Sequence, residues 1–106
     1  SYRSTVEKAL RECADKGGWW NVNVYVNVLG KAANLNIIDP TPYLSPIKKL
    51  LEEYISKGGD WGKFVFLLQN IMNNKHIFKI NLPDILNTLR RIIDIENIPD
   101  EEIHFV

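Results

Sequence analysis

An all-α fold follows from three features of the chain. Apolar residues recur at helical spacing in three stretches. A Lys-Gly-Gly turn followed within two residues by tryptophan occurs twice, and prolines fall only at helix starts or in linkers. The expected architecture is about five helices, two antiparallel helical hairpins plus one further helix, around a buried central helix at residues 61-73. Residues 1-106 form a single all-helical domain with an internal repeat, 4-35 and 45-74, and an acidic tail, 95-106.

The first helix is expected from about Ser4 to Lys16, where Val6, Ala9, Leu10, Cys13 and Ala14 make one stripe. The following residues, 19-28, read two ways. Val22, Val24, Val26 and Val28 alternate with Asn21, Asn23, Tyr25 and Asn27 as in a half-buried strand, and valine favours that state. Against this, the repeat assigns the segment to a second helix, on which Asn23, Asn27, Gly30, Lys31 and Asn34 align as a narrow polar stripe. Helix is the expectation and strand the alternative. Two prolines two residues apart then mark residues 36-44 as a connector.

Ser45 and Pro46 open the third helix, since serine can cap an orphan N–H and proline lacks one to lose. Ile47, Leu50, Leu51, Tyr54 and Ile55 form its apolar stripe, and Gly58 and Gly59 can take the left-handed conformation that ends it. Asp60 is placed to cap the fourth helix, Trp61 to about Asn73. Its apolar residues extend round most of the cylinder, from Phe64, Val65 and Leu68 to Phe66 and Leu67, which predicts burial on most sides. Residues 73-79 read as a turn or short extended link. A further helix follows, capped by Asn81, with Leu82, Ile85, Leu86, Leu89, Ile92 and Ile93 as its stripe. Moving the register back by 41 residues from Ser45 recovers Ser4, and the same shift matches Gly58, Gly59 and Trp61 to Gly17, Gly18 and Trp20.

Composition narrows the function classes. Hydrophobic residues at 45% and charged residues at 25% are those of a folded chain. Thirteen basic and thirteen acidic residues give no net charge, which excludes bulk electrostatic capture of nucleic acid but leaves room for a local basic face. The single cysteine, Cys13, cannot form an internal disulfide and reads as a small core residue. With no signal-peptide pattern and no run long enough to span a bilayer, a soluble, intracellular protein is expected.

No constellation for catalysis or metal binding is evident. The glycine pairs follow helices, whereas a phosphate-cradling loop precedes one. His76 and His104 lack partners at ligand spacing, and the terminal acids read as solvated. No enzyme activity, cofactor, metal or small-molecule substrate is therefore expected. Candidate partner-binding residues are the stripe members Asn23, Asn27, Lys31 and Asn34, whose amides can donate and accept. Arg90 and Arg91 join them, since they could form a basic patch with Lys75 and Lys79.

The run Tyr54 to Met72, YISKGGDWGKFVFLLQNIM, resembles the helix-turn-helix unit of pentatricopeptide and tetratricopeptide repeat proteins. That resemblance implies a scaffold for peptides or single-stranded RNA. Glu53 to Leu68, EYISKGGDWGKFVFLL, is similar to the signature preceding the central helix of the B-cell-lymphoma-two apoptosis regulators. Here the similarity implies that Asp60 caps the helix and Lys63 pairs with an acidic residue of an incoming amphipathic helix. The functional expectation is a non-enzymatic helical interaction module that holds a partner protein helix or peptide in an inter-helix groove. The alternatives are an RNA-binding helical-repeat segment and a homo-oligomeric assembly subunit.

Overall fold

The computed structural model describes residues 2–57 and 61–78, and beyond them Pro83, Asp84, Asn87, Arg90 and Arg91, each helical. Its order is α1 (Tyr2–Lys16), α2 (Gly18–Asn34), a 3-10 turn (Thr41–Tyr43), α3 (Ser45–Ser56), α4 (Trp61–Asn73) and a second 3-10 turn (Lys75–Phe78). The all-α expectation holds, and residues 19–28 are helical. The turn at Gly58, Gly59 and Asp60, the apolar stripe of the further helix and the 95-106 tail lie outside the described residues. So do the side chains of Tyr54, Ile55, Trp61 and Phe64.

One residue separates α1 from α2. The Gly17 N–H closes the last turn of α1 on the Cys13 carbonyl at 3.0 Å, and Gly17 and Gly18 hold φ of 64° and 81°. Only glycine takes such values without a Cβ penalty, so a reversal this tight depends on the pair. The two helices fold back antiparallel. Leu10 and Cys13 from α1 then enter the same core as Val22, Val26 and Leu29 from α2.

The strand-like alternation of valines fails because burial follows a period of 3.6. Val22, Asn23, Tyr25, Val26, Leu29, Gly30 and Ala32 are all buried, and no pleated strand could bury both members of the consecutive pairs 22–23 and 25–26 on one face. Tertiary packing thus outweighs the β preference of valine, which amounts to less than about 1 kcal/mol per residue. α2 ends in a Schellman arrangement with asparagine in place of glycine. Asn36 has φ 56°, its N–H donates to the Ala33 carbonyl at 3.1 Å, and the Ile37 N–H donates to that of Ala32 at 2.9 Å.

The connector is tied down at both ends. Asp39 Oδ1 accepts from the Thr41 N–H at 3.0 Å, an Asx turn. That bond, together with one from the Thr41 side chain, holds the Asp39 carboxyl below its usual range. The Tyr25 hydroxyl donates to the Tyr43 carbonyl at 2.6 Å, and the Tyr43 hydroxyl donates to Glu7 Oε2 at 3.1 Å, so one chain of contacts joins α2, the connector and α1. Burial is the main reason the Tyr25 hydroxyl titrates well above its ordinary value.

The helix that touches α1, α3, α4 and the second 3-10 turn is α2. α4 packs against it through Leu67, Leu68 and Ile71 but leaves Phe66 53% exposed, so the centre sits one hairpin earlier than the apolar content of residues 61-73 suggests. Of the two readings of 73-79, a turn or a short extended link, the turn is the one observed: Lys75–Phe78 is a 3-10 turn that buries Ile77 and Phe78. Cys13 is buried as expected, and burial pushes its thiol pKa up, which leaves little thiolate for chemistry.

α2 and α4 run parallel. Trp19 meets Phe66, Asn23 meets Asn70 and Asn27 meets Asn74, each pair one helical turn further along both helices. Gly30 continues the series, and a Cβ built there would collide with the Asn74 side-chain amide. Exchanging a helical glycine for alanine ordinarily gains about 1 kcal/mol. At Gly30 it would displace Asn74, so we expect Gly30→Ala to destabilise the fold by about 1–2 kcal/mol. In an Asn74→Gly background the same exchange should be neutral or stabilising, a sign reversal readable in urea titrations of the four-variant cycle.

Candidate binding face of α2 and α4

The polar stripe on α2 divides when its surroundings are considered. Asn23 is only 3% exposed. Its Nδ2 donates to the Trp19 carbonyl at 2.8 Å, while its Oδ1 and backbone carbonyl accept from Asn70 Nδ2 at 3.0 and 3.1 Å. Asn23, expected among the partner-binding residues, is thus turned inward and occupied within the fold. Asn27 is exposed, yet its Oδ1 accepts from Asn74 Nδ2 at 3.2 Å. Asn74 in turn donates to the Asn70 carbonyl at 2.9 Å, which makes a ladder of four amides along the seam. Among the described residues no buried side-chain polar atom lacks a partner, so the ladder is satisfied.

Lys31 and Asn34 remain on the surface, in line with Trp20 and Asn27 at helical spacing. The matching outward stripe of α4 is Phe66, Gln69 and Asn73. The two stripes meet at an aromatic cluster. Trp19 lies between Trp20, with ring centroids 6.2 Å apart, and Phe66, at 5.5 Å. Its indole Nε1 donates to the Lys63 carbonyl at 2.7 Å, which pins the start of α2 to the first turn of α4. The Lys63 ammonium stands 5.7 Å from the Trp19 ring centroid, a cation–π contact of about 0.5–1 kcal/mol at an exposed site. Trp20 is 65% exposed, so the cluster presents two large rings to solvent.

The expected arginine patch is placed differently. Arg91 Nη2 pairs with Glu52 Oε1 at 3.1 Å, which puts it against α3 rather than on the α2/α4 face. Arg90 is exposed and also has a partner, while Lys79 lies outside the described residues. A separate cleft of about 360 Å3 lies between α1 and α3, bordered by Asp15, Lys49, Glu53 and the apolar Ala14 and Leu50. Among the described residues no three His, Cys, Asp or Glu side chains converge to hold a metal ion. No helix among them is long and apolar enough to cross a membrane.

The sequence reading missed Trp19, Trp20, Phe66, Gln69 and Asn73 as surface features. One sequence signal marks this face: neither α2 nor α4 contains a single Asp or Glu. No protein-family model, curated protein or solved structure matches the chain significantly.

The buried amide pair supports a direct test. Asn70→Ala leaves the Asn23 side chain without its partner in a dry seam, and a loss of about 1–3 kcal/mol is expected by chemical denaturation. Replacing both asparagines by leucine removes the polar atoms together and should cost distinctly less than the sum of the single Leu variants. Additive losses would show that the pair does not act as a unit.

Proposed function

We propose that the protein is a non-enzymatic helical interaction module that holds a polypeptide partner against the α2/α4 face. The observation that carries this reading is the aromatic cluster, with Trp20 65% and Phe66 53% exposed side by side around Trp19. Large rings in water lack the burial that would offset their hydration, and a partner that covers them recovers about 25 cal/mol per Å2. Tryptophan is also the residue type that most often dominates protein interfaces.

The preorganisation of the cluster adds to this. Trp19 is fixed by its hydrogen bond to the Lys63 carbonyl, so a partner docking on its neighbours need not order that ring. The chemistry on the face is recognition chemistry. It offers amides and ammonium groups, and α2 and α4 supply no carboxylate to act as an acid or base.

The test is a comparison of the parent chain with the Trp20→Ala/Phe66→Ala double variant as immobilised baits. Both rings are more than half exposed, so losing their contacts with Trp19 should cost about 1–3 kcal/mol and leave the variant folded, which its unfolding midpoint checks. Truncating two central anchors should weaken a true partner by at least about 2 kcal/mol, roughly thirtyfold. Proteins held by the parent after nuclease treatment and lost by the variant are the expected result. Equal retention by both baits would move the binding site elsewhere. Retention abolished by nuclease would favour the RNA-binding alternative, and a variant-sensitive dimer by light scattering the assembly alternative.

A further inference from the structure

The zero net charge of the chain hides a strong segregation. All thirteen acidic residues fall outside α2, α4 and the Lys75–Phe78 turn, while those elements carry Lys31, Lys63 and Lys75. Acids gather instead on α1, as Glu7, Glu12 and Asp15, and on α3, as Glu52 and Glu53. There Glu7 is paired with Arg3, and Glu52 with Arg91, each at 3.1 Å. Among the described residues, α2 and α4 thus bring amides and ammonium groups to this face and no carboxylate of their own, a charge pattern that attracts acidic partners and repels basic ones.

We infer that the segment this face takes is an acidic, extended stretch of polypeptide. A large apolar side chain of the segment sits on Trp20 and Phe66, carboxylates lie beside Lys63 and Lys31, and Gln69 and Asn73 meet its backbone. The inference rests on the interaction-module reading and specifies its partner. An extended backbone is favoured over a helix because neutral amides, which donate and accept, match unpaired peptide N–H and C=O groups. A helical partner satisfies its own.

Distances along the face fix the spacing. From Trp20 to Lys31 is roughly 17 Å along the axis at 1.5 Å per residue, and an extended chain covers that in about five residues at 3.3 Å each. A carboxylate close to the apolar anchor reaches Lys63, which stands at the Trp19 ring, and one about five residues on reaches Lys31. A single-stranded nucleic acid fits less well, because it would bring one negative charge per nucleotide to a face where only Lys31 and Lys63 are placed to meet it and the aromatic rings stand at one end.

The experiment uses three fluorescein-labelled probes in anisotropy titrations across a salt series. They are an octapeptide with a phenylalanine near one end and glutamates around it and five positions on, its counterpart with lysines at those positions, and an oligouridylate of similar length. The acidic peptide should bind at least about tenfold tighter than the lysine peptide and weaken as salt rises. Lys63→Glu and Lys31→Glu should each cut its affinity on the order of fivefold or more, with Trp20→Ala as a third reporter and folding checked by the unfolding midpoint. Equal binding of the two peptides overturns the acidic assignment while leaving a polypeptide partner in place. Binding of neither peptide overturns the inference, and the bait comparison above then decides the broader reading. Oligouridylate bound more tightly than the acidic peptide overturns both.

Discussion

The register of α2 against α4 is held by hydrogen bonds between asparagine amides. Apolar contacts such as those of Leu67 and Ile71 resist separation of the helices, but a greasy seam tolerates sliding. The amide pairs do not, because a shift by one residue would strand the buried donors and acceptors of Asn23 and Asn70 at about 1–3 kcal/mol each and break the exposed Asn27–Asn74 bond as well. Gly30 reinforces the same constraint by letting the Asn74 side chain lie against the α2 backbone. With the helices locked, Trp19 must stand opposite Phe66, and the aromatic cluster follows from the ladder.

Division of labour between the hairpins follows from the same geometry. α1 and α3 carry mixed charges and surface ion pairs, of the kind that contribute about 0–1 kcal/mol and mainly keep a face wet. α2 and α4 share the core with them and carry, on their remaining narrow stripes, rings, amides and lysines. Because α2 touches each of its neighbours, its outward stripe has the firmest support of any exposed surface described. A recognition surface on such a helix gives up little conformational entropy when it is covered.

Much of the fold was legible in the sequence. The stripe of α1, the Ile47, Leu50 and Leu51 part of the α3 stripe, the Gly17-Gly18 reversal and the start of α3 at Ser45 are local signals, and each appears where expected. The helical state of 19–28 was legible through the repeat rather than through propensity. What could not be read was which polar residues point inward. Asn23 and Asn27 are one turn apart on the same stripe, yet one is sealed by Asn70 and the other is exposed, a distinction made by a helix 47 positions away. The apolar content of α4 likewise pointed to deep burial, whereas Phe66 lies on the side that α2 leaves uncovered. The absence of Asp and Glu from α2 and α4 was available from composition, but it becomes a property of one face only once the helices are known to be parallel neighbours.

The contact between the Tyr25 hydroxyl and the connector has a different kind of consequence. Its acceptor is the main-chain carbonyl of Tyr43, a group that every amino acid supplies. The path of the connector is therefore specified in part from α2, and the identity of residue 43 matters to it through the separate bond to Glu7 and through the packing of its ring against the core. Mutational drift can rewrite the linker's exposed positions, such as Pro42, while Tyr25, eighteen residues before the carbonyl it holds, goes on fixing that point of the path together with the buried Ile38 and Leu44 and the turn at Asp39.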